Sequence, residues 1–377
     1  MGIEHFTSDP DLLDQFIRLG HELYRDDPQW IPPFRKNLLY QFSSPSPFSR
    51  QPGTLYRNFI ALQDRKVVGR ISAFVNPQLL NPDGKAAGTI GFFECVNDYS
   101  VARDLLDAST RWLKEEGGRS VVWGPMNYDI WHGYRMMIHG FDQKTFCGEP
   151  YNKPWYPEFF ERFGFTTRQT WDSVDIIGRE SFEKVMRRGA ERLNQVSQHG
   201  YRFVPFDMLK YDSEVRNLYD LLCQSFASFL GYTPTGFSEF RRIFGPHRLA
   251  IDPALFVFAR DECDRLAGFA GSFLDISDGV RTMRGSDSLL ARWRFYRRRK
   301  CTNRIIFYLG GVTPQEAIRK AGLGRAAFYH VLQQALNRGH EHVVVALMAQ
   351  GNIVRGILNG MMAQAQRRYA LYELNVH

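Results

Sequence analysis

Between Arg304 and Arg338 the chain carries the spacing of an anion site. An apolar strand, Ile305-Ile-Phe-Tyr-Leu-Gly-Gly-Val312, ends at Thr313-Pro314, and a polar turn leads to Arg319-Lys-Ala-Gly322-Leu-Gly324-Arg-Ala-Ala327, which opens a long helix. Gly322 and Gly324 remove side chains where a ligand must approach the backbone. The amides from Gly322 to Ala326 can then point at phosphate oxygens, with the helix dipole favouring the anion. Arg319, Lys320 and Arg325 add neutralising charge. The loop lacks the Gly-Lys-Ser/Thr end of a nucleotide triphosphate loop and the three-glycine spacing of a dinucleotide fold, which argues against both classes. The same glycines would also serve a plain turn before a helix.

A second chemically rich segment is Asn127-Tyr128-Asp-Ile-Trp131-His132-Gly-Tyr134, a loop that follows a strand. His132, with an imidazole near neutral pKa, could act as a base, and Tyr128, Trp131 and Tyr134 could line an apolar acceptor. The competing reading is a loop held by aromatic packing. Glu94 is the other candidate base, because a carboxylate on an apolar strand costs energy unless it is paired or functional. An arginine partner would explain it equally well.

No metal chemistry is expected. The five cysteines (Cys95, Cys147, Cys223, Cys263, Cys301) are scattered without a CxxC pair, and His340 and His342 stand on alternate residues entering an apolar strand. These read as reduced thiols and surface imidazoles.

The elements that must position these groups occur twice. Asn58 to Phe74 reads as two apolar strands joined by a polar turn, and Leu255 to Phe273 repeats the layout, with Gly69 and Gly268 standing 199 residues apart. Upstream helices are expected over Leu12–Tyr24 and Val215–Leu230. The first half continues as strand Thr89–Glu94, helix Val101–Glu116, strand Ser120–Trp123 and a helix over Pro157–Arg162 that stops at Gly164. The second continues as strand Arg304–Val312, helix Gly324–Arg338, strand His342–Met348, helix Ile353–Ala365 and strand Arg368–Leu374. This order predicts an α/β protein, a mixed sheet with helices on both faces. Two domains are expected, residues 1–178 and 179–377, with a linker near Gly178 to Arg188; 377 residues suit two domains better than one.

Net charge is +8, and it is local. Val280 to Arg304 holds nine basic residues against one acid, while the remainder has 39 of each. Arg294, Arg297, Arg298, Arg299 and Lys300 interleave with aromatics there, which points to an anionic partner: a phosphate, a nucleic acid such as tRNA, or an acidic acyl carrier protein. A solvated surface helix or loop is the alternative. No apolar run reaches the length of a membrane span, and the N-terminal MGIEHFTSDPD has no apolar stretch, so a cytoplasmic protein with no membrane partner is expected.

With its context, Arg319-Lys-Ala-Gly322-Leu-Gly324 resembles the pyrophosphate loop of the GNAT acyltransferase superfamily, Gln/Arg-x-x-Gly-x-Gly/Ala after the fourth strand. Val312-Thr-Pro314 is similar to the Val-x-Pro that ends that strand in many members, and Asn352 stands where the family often has Asn. The first half resembles the same fold through Pro157-Glu-Phe-Phe-Glu-Arg-Phe-Gly164-Phe165. Its cradle is missing: Cys95-Val-Asn-Asp98 has no glycine pair, and Asp98 would repel a phosphate. Gly91–Glu94 and Gly124-Pro-Met-Asn127 look like segments of bacterial tandem-GNAT proteins. The resemblance implies two GNAT-like domains, the first degenerate and shaping the acceptor site or supporting the fold. The second would bind acetyl-CoA or another acyl-CoA, with Leu309, Gly310, Gly311 and Val312 pairing to pantetheine and Gly322, Leu323, Gly324, Arg325 and Ala326 holding the pyrophosphate.

The implied reaction is direct attack of an amine, on a small molecule or peptide, at a thioester, needing a base, carbonyl hydrogen bonds and an acid for the thiolate. The family's usual tyrosine acid falls at Asn359, which leaves Tyr308, Tyr329 or water for that role. Two further readings follow: an aminoacyl-tRNA-dependent transferase of tandem-GNAT type, and a non-catalytic ligand-binding GNAT module.

Overall fold

The computed structural model describes residues 2–80, 84, 86–187, 189–299, 302–315, 322–359 and 366–376. The first half runs β1 (Gly2–Phe6), α1 (Pro10–Leu23), α2 (Arg35–Gln41), α3 (Pro47–Arg50), β2 (Leu55–Gln63), β3 (Lys66–Leu80), β4 (Ala86–Cys95), α4 (Tyr99–Glu115), β5 (Val121–Gly124), β6 (Met136–His139), α5 (Tyr156–Phe163) and β7 (Thr166–Ile177). The second runs α6 (Arg179–Met186), α7 (Ala190–Gln198), β8 (Arg202–Pro205), α8 (Tyr211–Phe226), α9 (Phe237–Phe244), β9 (Ile251–Arg260), β10 (Leu266–Leu274), α10 (Ser277–Met283), α11 (Leu289–Arg298), β11 (Arg304–Val312), α12 (Leu323–Asn337), β12 (His342–Ala349), α13 (Ile353–Asn359) and β13 (Arg367–Asn375).

Local chemistry sets the ends. Asp9 caps α1, its carboxylate accepting from the amides of Asp11 and Leu12 at 2.9 Å, and Pro10 takes the first helical position. Gly164 stops α5 in a left-handed conformation, φ 112°. The stretch expected as a linker instead folds as α6, because Phe182 and Val185 are spaced to bury one face against the second-half core.

Among the described residues, thirteen strands form one mixed sheet in the order β1-β2-β3-β4-β5-β13-β7-β12-β11-β10-β9-β8, with β6 also on β13. Only the β4/β5 and β11/β12 pairs are parallel. The halves exchange strands: β7 pairs with β12, β13 pairs with β5, and β7 and β13 pair with each other from Arg367↔Ser173 to Glu373↔Thr166. Alternation along the strands supplies two faces per half. Phe59 and Ala61 face α4 and α5 while Ile60 faces α1 to α3; Leu255 and Val257 face α12 while Phe256 and Phe258 face α8 and α9.

Candidate functional site

The parallel pairing of β11 with β12 covers only Arg304–Phe307 against His342–Val345. Beyond it the strands part. β11 stays with β10 out to Val312, while β12 continues beside β7 through Met348 and Ala349. Leu347 turns the second strand away, at φ 56°, donating its amide to Ser173 Oγ at 3.1 Å. Among the described residues, no strand pairs with the β12-facing edge of Tyr308–Val312. A bulge between Gly271 and Ser272 also leaves Tyr308 out of the β10 ladder, at the point of divergence. Bulges of this kind re-aim a side chain and free backbone groups. Gly310 is exposed. Gly311 answers to packing instead, since a Cβ there would lie 2.8 Å from Phe269 and 3.0 Å from Ser225.

The open edge leads to the start of α12. Gly322 begins it at φ 72°, a conformation that favours glycine, and its carbonyl accepts from the amides of Arg325 and Ala326 at 3.1 Å. The N-cap residue is this glycine, and among the described residues no side chain caps this terminus. Among the described residues a Cβ on Gly324 would meet Val312 Cγ1 alone, at an ordinary contact distance of 3.6 Å. Leu323 and Ala326 are buried with Val196, Ala259 and Ala267, so they anchor the helix and offer only backbone. Arg325 is exposed. Arg192 of α7 brings its side chain against Gly322, within 3.2 to 3.4 Å of where a Cβ would sit. Sequence reasoning missed this arginine, because nothing in the spacing ties α7 to the loop. Arg319 and Lys320 lie outside the described residues. Asn352 is exposed and caps α13, accepting from Val354 N at 2.8 Å.

In the first half the matching space is closed by the chain itself. β4 and β5 pair from Ala87↔Val121 to Thr89↔Trp123, and Met126 then donates its amide to Ile90 O at 2.7 Å. Asn127 Oδ1 accepts from Phe92 N at 2.9 Å. At the start of α4, Asp98 Oδ1 accepts from Ser100 N at 2.8 Å. A carboxylate thus occupies the helix terminus that in the second half begins with a glycine.

The expected acceptor residues divide. His132 is buried with both ring nitrogens held, Nδ1 by Asp129 at 2.7 Å and Nε2 by Glu239 at 3.2 Å. Burial alone would lower its pKa, but the Asp129 and Glu239 carboxylates outweigh burial and push it up to about 9. It is an imidazolium tying the first-half loop to α9. Glu94 pairs with Arg70 at 3.7 Å and accepts from Tyr156 Oη at 2.8 Å; burial raises its pKa against those partners. Tyr128 packs in the α1 to α3 core and bonds Gln51 at 2.7 Å.

Tyr134 lies close enough to Tyr308 to act on it electrostatically, whereas Trp131 packs against Phe226 of α8 and Phe240 of α9. Trp131 donates to Thr233 O at 2.9 Å and fringes the same core as Tyr308 and Leu309. Tyr134 meets Trp171 edge-on at 5.5 Å. Tyr308 donates to Gly148 O at 3.2 Å, and burial holds its phenol above the ordinary range. Arg135, missed in the sequence, lies over the rings of Tyr134 and Trp171 and bonds the Tyr134 hydroxyl; its charge also acts on Tyr308. It has no carboxylate partner among the described residues. Glu149 is fully buried beneath, bonded by Tyr369 and Arg367; burial, countered mainly by Arg367, lifts it to about 7.

The basic segment lies elsewhere. Arg294, Arg297, Arg298 and Arg299 are exposed on and just after α11; Lys300 falls outside the described residues. A polar cavity of about 310 Å³ opens where β11 and β12 begin, lined by Asp175, Asn303, Arg304, His342 and Arg367 among others. No group of metal-ligating side chains occurs among the described residues, and no described helix is long and apolar enough to cross a membrane.

Two successive strand sets within the one sheet, each with a central parallel pair and a helix leading from its end, give the chain a tandem GNAT fold. Over 99% of its length it matches the tandem GNAT protein from the clavulanic acid biosynthesis pathway, at TM-score 0.51 and 12% identity across 98% of that chain. A GCN5-related glucosamine N-acetyltransferase region in a fungal multi-domain GH3 β-N-acetylglucosaminidase matches at TM-score 0.54 and 17% identity, over 99% of this chain and 38% of that one. No protein-family model matches the chain. Among curated proteins it is similar to bacterial ceramide synthase of Caulobacter vibrioides, 27% identical over 290 residues, 73% of this chain and 71% of that protein. Protein YghO of Escherichia coli is 28% identical over 237 residues, and the match spans 53% of this chain and 59% of YghO.

Proposed function

We propose that the chain is an N-acyltransferase. Residues 179–377 would hold an acyl-CoA, or the same pantetheine arm on a carrier protein, and residues 1–178 would shape the acceptor side. The carrying observation is the parting of β11 from β12 after Phe307 and Val345, beside a helix start that no described side chain caps. An extended amide-bearing arm can add to the free edge of Leu309–Val312 as an extra strand. Its pyrophosphate then meets the amides at Gly322–Gly324, with Arg192 and Arg325 as counter-charges.

In the transfer, the neutral acceptor amine forms a bond to the thioester carbon, the carbon–sulfur bond breaks, the nitrogen gives up its extra proton to water, and the leaving sulfur takes a proton from a phenol that water then reprotonates. We assign that proton to the Tyr308 hydroxyl, which stands at the bulge and which burial keeps protonated. Arg135 stabilises the developing negative charge. Trp131, Tyr134 and Trp171 supply an apolar wall for the acceptor. His132 and Glu94, both fully engaged, hold the fold rather than take protons. The similarity to bacterial ceramide synthase supports a long-chain amine as acceptor, since ceramide is the amide of a long-chain amino alcohol.

Calorimetric titration with acetyl-CoA and free coenzyme A tests the donor site, and coenzyme A release from acyl-CoAs offered with a long-chain or a short amine tests the transfer. Micromolar binding at one site per chain, with faster release for the long-chain amine, is the expected result. Folded protein that binds neither ligand would shift the donor to charged tRNA or acyl carrier protein.

A further inference from the structure

α11 has an unusual arrangement of side chains for a surface helix. Only Ala291 and Phe295, four residues apart, are buried, against Met283 and their neighbours Phe34, Ile276 and Val280. On the opposite side Leu289, Trp293 and Tyr296, spaced four and three residues apart, form one stripe at about 100° per residue. They are 85%, 53% and 61% exposed, and Leu290 beside them is 55% exposed. Arginines flank the stripe: Arg292 and Arg299 on one side, Arg297 and then Arg294 on the other. Arg297 lies over the Trp293 ring at 4.8 Å and Arg299 over Tyr296 at 5.6 Å. Among the described residues Arg294, Arg297, Arg298 and Arg299 have no carboxylate partner.

α11 packs on α10, where Gly279 leaves space for Phe295, and α10 with the turn after it is tied to the first half. Lys144 pairs with Asp278 at 2.8 Å, Arg281 donates to Thr145 O at 2.9 Å, and Arg35 N donates to Gly285 O at 3.0 Å. The outward stripe is therefore displayed on a fixed platform.

We infer that α11 is a membrane-surface dock, which lays Leu289, Leu290, Trp293 and Tyr296 into the headgroup boundary of a bilayer while its arginines contact anionic lipid headgroups. Aliphatic residues pointing outward are of no use to a nucleic acid, whereas aromatic rings at the interface, basic flanks and a ten-residue helix too short to span all suit an interfacial element. Charge complementarity with an anionic leaflet comes from the same segment that holds the chain's entire net charge. The helix leads into the start of β11, and the proposed donor cradle lies past the other end of that nine-residue strand, roughly 30 Å away. Donor and bilayer would thus meet the protein at opposite ends. The inference does not depend on the acyl-transfer reading.

The test is flotation of the full chain with vesicles of phosphatidylcholine alone and of phosphatidylcholine with phosphatidylglycerol. Binding to the anionic vesicles is expected, reduced by salt and weakened about fivefold for each of Arg294→Ala and Arg297→Ala. The triple variant Leu289→Ser, Leu290→Ser, Trp293→Ser should abolish flotation with unchanged circular dichroism. Absence of flotation for the native chain overturns the inference. So does flotation that survives the triple variant, or retention by tRNA or acyl carrier protein in place of vesicles.

Discussion

Asn127 Oδ1 accepts a hydrogen bond from the backbone amide of Phe92 at 2.9 Å. Phe92, at φ 51°, lies in the bulge of β4, the counterpart of the β11 bulge that frees Tyr308. An amide side chain of the protein's own thus fills in the first half the gap left open in the second. Asn127→Ala should leave the Phe92 amide unpaired and cost about 1–3 kcal/mol of stability in denaturant unfolding. Calorimetry with coenzyme A should still count one site per chain; a second site in this variant would mean that the first half is a latent donor site.

Gly324→Glu should abolish donor binding and leave thermal unfolding nearly unchanged. Against the described residues the first added carbon makes only an ordinary contact, 3.6 Å from Val312, but the side chain sets a carboxylate against the expected pyrophosphate. Unchanged coenzyme A affinity in this variant would remove the cradle from the proposal.

Tyr308→Phe should lower kcat about a hundredfold or more with donor affinity little altered, the pattern of a lost proton donor. Because burial raises the phenol, alkaline loss of activity from this group should begin only above the usual tyrosine range. Steady-state rates across pH check both points.

Stability should fall on the alkaline side because of His132. Its folded pKa of about 9 stands above the ordinary 6.5, so its contribution is complete below about 6.5 and disappears as pH climbs through 9, on the order of 3 kcal/mol in all. Glu239 acts in the opposite sense: burial would raise it, but bonds from His132, Arg242 and Tyr40 hold it down to about 2, so its contribution is complete above about 4.5 and fades toward pH 2. Thermal unfolding followed across pH should therefore be highest between these limits. His132→Gln should flatten the alkaline limb and cost several kcal/mol, by leaving Asp129 buried without its cation while Glu239 keeps Arg242.

Much of the sheet was legible because strand and helix periods are local. The bounds of β11 are those expected from Ile305–Val312 and its flanks, and α12 begins one residue before the expected Gly324. The Gly69 and Gly268 repeat locates β3 and β10. What failed to show were long-range facts. Arg192 reaches Gly322 from another helix, Arg135 finds Trp171 across the chain, and His132 meets Glu239 from 107 residues away. Residue type marked His132 as reactive, but the pairing of its ring with both Asp129, three residues away, and the distant Glu239 makes it a fixed charge. Similarly α11 announced its arginines in the sequence, while the direction of its leucines depended on which two residues the fold buried.

The crossing of β7 and β13 has a consequence for how the protein is made. Trp123 donates to Glu373, 250 residues later, at 2.8 Å, so the first sheet waits for a strand synthesised long after its own β5. At ribosomal rates of about 5–20 residues per second that wait lasts tens of seconds at most, during which the edge of β5 is bare. Such an edge invites pairing with a neighbouring chain. A nascent chain paused before β13 is thus the form in which this protein is most exposed to misassembly and most in need of a chaperone.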